Sequence, residues 1–138
     1  MIERFKERLI LNWLKKNLPK PGSQTSKVAA LRSLEEILEL SQSENISKKE
    51  AMLVLDQVYS RSVGQSKLEF GQVMICLSMY AGVTQMDMEE AWMYEFERIN
   101  DPAVIAKIRA RQSSKIGGAS YDEDKVRDVP FINGDGLG

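Results

Sequence analysis

Glutamates carry whatever chemistry this sequence can do. Glu36 and Glu39 stand three residues apart within Leu34-Glu35-Glu36-Ile37-Leu38-Glu39-Leu40, and Glu69 and Gln72 repeat the interval further along. The 138 residues contain no histidine and one cysteine, Cys76. That composition excludes Ser-His-Asp and Cys-His nucleophile pairs, His-ligated zinc or haem, thiolate clusters and internal disulfides. What remains is carboxylate chemistry with a hard divalent cation, or no chemistry at all.

The faces on which these residues fall sharpen the choice. On a helix Leu31, Leu34, Ile37 and Leu38 form one apolar arc; Glu36 and Glu39 share the neighbouring face, and Leu40 lies beyond them. The pair is thus flanked by apolar surface, although a charge run on a helix is also the ordinary pattern of a solvated face. The segment from Lys67 to Ala81 carries Leu68, Phe70, Val73, Met74, Ile75, Leu77, Met79 and Tyr80 all round, with Glu69, Gln72 and Ser78 as its strongly polar positions. A carboxylate buried on such a helix costs several kcal/mol unless paired or metal-bound. Glu69 either joins a site, pairs with Arg61 or Lys67, or sits at a solvated first turn where negative charge suits the helix dipole. Two helices that each present oxygen donors at i and i+3 are what an oxygen-ligated Mg²⁺ site in a bundle requires.

The elements that must position these residues are helices. Phe5, Leu9, Ile10, Trp13 and Leu14 make a helical stripe over residues 3–18, ended by Pro19-Lys20-Pro21-Gly22. A second helix runs from about Lys27 to Ser43. A capping box, Ser47 with Glu50, opens a third that turns Ala51, Val54, Leu55 and Val58 inward and runs out between Tyr59 and Gly64. The fourth, about Lys67 to Ala81, is expected to be the central, buried helix. Asp87 with Glu90 opens the fifth, with Met86 and Ala91 as a staple; it carries Trp92, Tyr94 and Phe96 and stops at Asn100. Asp101-Pro102 caps and starts a last helix through about Arg111. No repeat or hairpin signal interrupts, so the expected fold is an all-α bundle over residues 1–112, with a core over 27–112. From Ser113 glycine and polar residues take over, and 113–138 reads as a flexible tail.

Charge balance limits the partners. Nineteen Lys plus Arg against twenty Asp plus Glu give a net charge of −1, which does not suit a general nucleic-acid binder, although Arg4, Lys6, Arg8, Lys15, Lys16 and Lys20 make the first helix basic. There is no apolar run of membrane-spanning length and no signal-peptide pattern, so no membrane partner and a cytoplasmic location are expected.

The ordered set Glu36-x-x-Glu39-Leu40, Glu69-x-x-Gln72 with its following apolar run, Gly82-Val83 and Asp87-Met88-Glu89-Glu90-Ala91 resembles the MazG-like all-α nucleoside triphosphate pyrophosphohydrolases. The similarity covers roughly residues 28 to 115, and Val58-Tyr59-Ser60-Arg61-Ser62-Val63-Gly64 resembles a short MazG-like subgroup. The resemblance implies a four- or five-helix, homodimeric or homotetrameric bundle that cleaves a nucleoside triphosphate to the monophosphate and pyrophosphate. It also implies Mg²⁺, or Mn²⁺ in its place, on Glu36, Glu39, Glu69 and the position of Gln72, with Glu36 and Glu39 counted among the catalytic residues.

Gln72 departs from the family pattern, where Asp is usual. A carboxamide oxygen can coordinate, but it brings no charge and takes no proton from a bound water. Glu35 is the candidate to activate water or support the ligands, and Asp56 a candidate compensating acid. Lys107, Arg109 and Arg111, with Arg61 behind them, are candidates for the phosphate chain, although basic residues at a helix end also suit its dipole. Two other functions remain open: an impaired relative that binds nucleotide or a protein without turnover, and a plain helical interaction module.

Overall fold

The computed structural model describes residues 4–19 and 25–115. The order is α1 (Phe5–Asn17), α2 (Ser26–Ser43), α3 (Lys48–Tyr59), α4 (Ser66–Thr84), α5 (Met88–Arg98) and α6 (Pro102–Arg111), followed by a 3₁₀ turn at Gln112–Ser114. All the regular structure among the described residues is helical, as the sequence leads one to expect.

Local chemistry accounts for where α2, α3, α5 and α6 start. The Thr25 hydroxyl accepts from the Val28 amide at 3.2 Å and begins α2, a cap that the sequence reading passed over in favour of a later start. At α3 the capping box is complete: Glu50 N–H donates to Ser47 Oγ at 3.1 Å, and Ser47 N–H donates back to Glu50 Oε1 at 3.2 Å. Asp87 accepts from the Glu90 amide at 2.9 Å, and Asp101 from the Ala103 amide at 2.8 Å, opening α5 and α6. Each bond satisfies an amide that the first turn leaves without an intrahelical partner. Helix α4 runs past the expected Ala81 to Thr84 and ends where Gln85 adopts a left-handed conformation, φ 60°.

The chain forms two compact units, Met1–Ser60 with Lys107–Gly138, and Arg61–Ala106. Among the described residues of the first, the buried side chains lie at the end of α1: Trp13, Asn17 and Leu18. Asn17 Nδ2 donates to the Trp13 carbonyl at 3.0 Å, and Arg109 Nε donates to the Asn17 carbonyl at 2.9 Å, which fastens the last turns of α6 to that end of α1. In the second unit Trp92 and Phe96, one turn apart on α5, stack with centroids 5.0 Å apart.

Helix α4 departs from its expected burial. None of its residues is buried, and Phe70, Ile75 and Val83 are 68%, 71% and 80% exposed. The reason is a shortage of neighbours. A helix with apolar side chains on every side needs cover on every side, and the unit it belongs to contains only α5 and the first residues of α6 besides.

Candidate functional site

Glu36 and Glu39 lie on the middle turns of α2, both exposed, so the expected pair is present on one helix face in the first unit. Glu69 and Gln72 lie on α4 in the second unit, both exposed. Glu69 is exposed in the first turn of α4. The backbone approach to that turn is close. A Cβ at Gly64 would overlap Glu69 Oε1 and stand 3.0 Å from its Cδ, so the absence of a side chain at residue 64 gives the carboxylate its place.

Among the described residues, no three His, Cys, Asp or Glu side chains gather into a group able to hold a metal ion. Glu36 and Glu39 belong to the first unit, Glu69 and Gln72 to the second. Asp56 is exposed on α3.

Glu35 sits in a salt-bridge hub instead of standing open. Its Oε2 accepts from Arg32 Nη1 at 2.8 Å, one turn earlier on α2, and its Oε1 lies 3.2 Å from Lys115 Nζ. Lys115 falls in the segment read as tail, so definite structure extends through the 3₁₀ turn to residue 115; the rest of that segment, 116–138, lies outside the described residues. These groups border a cleft of about 460 Å³ in the first unit, with Arg111 on its wall and Leu31 and Leu34 beside them.

The four cations proposed for the phosphate chain part company. Arg111 lines this cleft. Arg109 is committed to the Asn17 carbonyl and so holds α1 to α6. Lys107 is exposed on α6, and Arg61 is exposed in the link before α4, in the second unit. Sequence reasoning missed Arg32 and Lys115. Arg32 had a readable signal, since it stands three residues before Glu35 on a predicted helix; Lys115 had none, because its contact comes from the path of the chain after α6.

On α4, Lys67, Leu68, Gln72 and Ile75 border an open, mostly apolar groove of about 860 Å³. Gln72 therefore stands beside apolar surface.

No protein-family model matches the chain, and comparison with curated proteins and with solved structures finds no match either.

Proposed function

We propose that the protein is a homo-oligomeric, Mg²⁺-dependent, MazG-like nucleotide pyrophosphohydrolase of the cytoplasm, which splits a nucleoside triphosphate into monophosphate and pyrophosphate. The observation that carries this proposal is the placing of Glu36-x-x-Glu39 on α2 and Glu69-x-x-Gln72 at the start of α4, the pattern on which the family resemblance rests. The cation would neutralise phosphate oxygens and make a bound water nucleophilic. Glu36, Glu39 and Glu69 are its proposed ligands. Lys107, Arg109, Arg111 and Arg61 are the proposed partners of the phosphate oxygens; Arg111 borders the cleft, and Arg109 spends its Nε–H on the Asn17 carbonyl. Exposed apolar side chains all round α4 support a second copy of the chain as its cover, in a homodimer or homotetramer.

A second function is favoured by a specific residue. The carboxamide of Gln72 stands where the family pattern has Asp, and a chain so altered would bind nucleotide or a protein partner without turnover. The two are separated by measuring pyrophosphate release and nucleotide binding on one preparation, with a panel of triphosphates at millimolar Mg²⁺. Release identifies the enzyme; binding without release identifies the impaired relative; and failure to bind either nucleotide or Mg²⁺ leaves a helical interaction module.

A further inference from the structure

We infer that the cleft between α2 and the chain following α6 is an anion site that takes a phosphate group without a metal ion, through Arg32, Arg111 and Lys115. Three cations meet at one cleft, and among the described residues Glu35 is the carboxylate on its wall, so the described lining has an excess of two positive charges. The arrangement is partly shielded from water: the side chains of Arg32, Glu35 and Lys115 are 25%, 35% and 23% exposed. Like charges brought together in such a setting repel more strongly than at an open surface, and a dianion relieves that repulsion. Glu35 also orders the donors. It holds Arg32 Nη1 at 2.8 Å and Lys115 Nζ at 3.2 Å, so both are positioned before a ligand arrives and less side-chain freedom is lost on binding.

Phosphate fits this donor set better than a carboxylate. The Arg111 guanidinium and the Lys115 ammonium, with Arg32 held beside them by Glu35, offer forked and point donors to several oxygens at once, and a dianion suits the excess charge of the described lining. Leu31 and Leu34 give the same cleft an apolar wall, against which the body of a phosphate ester can lie. The choice of phosphate among anions rests on the nucleotide function proposed above, but the cleft itself lies within one unit and requires neither Glu69 nor a metal ion.

Inorganic pyrophosphate titrated calorimetrically into the full chain in EDTA tests the site. Binding is expected in the absence of metal, weakened at least tenfold by Lys115→Gln and by Arg111→Gln, each checked for unchanged helicity and melting. Glu35→Gln is expected to bind pyrophosphate more tightly, because loss of the opposing charge outweighs loss of the order it imposes on Arg32 and Lys115. A purely structural salt bridge predicts the reverse pattern: lower stability in Glu35→Gln and no gain in affinity. Absence of pyrophosphate binding in EDTA, or affinity unchanged in both cation variants, overturns the site. Failure of the chain to release pyrophosphate from any triphosphate, with binding in EDTA intact, overturns the hydrolase function and leaves the anion site standing.

Discussion

Replacing Glu39 by Gln keeps the shape of the side chain and removes its charge, so any Mg²⁺ held by the Glu36–Glu39 pair loses one of its anionic ligands. Calorimetric titration with Mg²⁺ should show binding to the unaltered chain and its loss in Glu39→Gln; equal affinity in both would remove the pair from the site. Gln72→Asp tests the departure from the family pattern in the other direction. Pyrophosphate release should rise at least tenfold if residue 72 faces the cation, and an unchanged rate would place the fourth ligand elsewhere. The glutamates were legible because their spacing is a property of the helix that bears them. The roles of the cations were less so. Arg109 and Arg111, two residues apart on α6, read alike in sequence, yet one donates to the Asn17 carbonyl and the other borders the cleft. That division is decided by packing against α1 and α2, to which no local pattern is sensitive.

Helix starts were read most clearly, since the Ser47–Glu50 box and the Asp87 and Asp101 caps act over two or three residues and owe nothing to the rest of the chain. Ser47→Ala removes one such bond and is expected to cost about 1 kcal/mol. Urea unfolding should show an earlier midpoint at unchanged slope; an unmoved midpoint would mean that the α3 start is held by something other than its cap. Helix α4 shows the opposite case. Its all-round apolar side chains lead one to expect a central, buried helix, whereas Phe70 and Ile75 are 68% and 71% exposed. Periodicity reveals which side chains require burial; it does not reveal whose surface provides it.

A chain that leaves Leu68, Phe70, Ile75, Met79 and Val83 exposed along one helix is expected to self-associate. Sedimentation of the unaltered protein at micromolar concentration should therefore give a dimer or tetramer, and Phe70→Glu combined with Ile75→Glu should give a monomer that keeps most of its helicity. A monomeric unaltered protein would contradict the proposed assembly. The cation, the phosphate chain and the oligomer all serve one claim, that this histidine-free chain hydrolyses nucleotides with carboxylates. The most direct measurement is pyrophosphate release from a panel of nucleoside triphosphates with Mg²⁺ and with EDTA. The account predicts release of pyrophosphate and monophosphate from at least one nucleotide, abolished by EDTA and by Glu39→Gln. No release from any of them, or release that persists equally in Glu39→Gln, would contradict it.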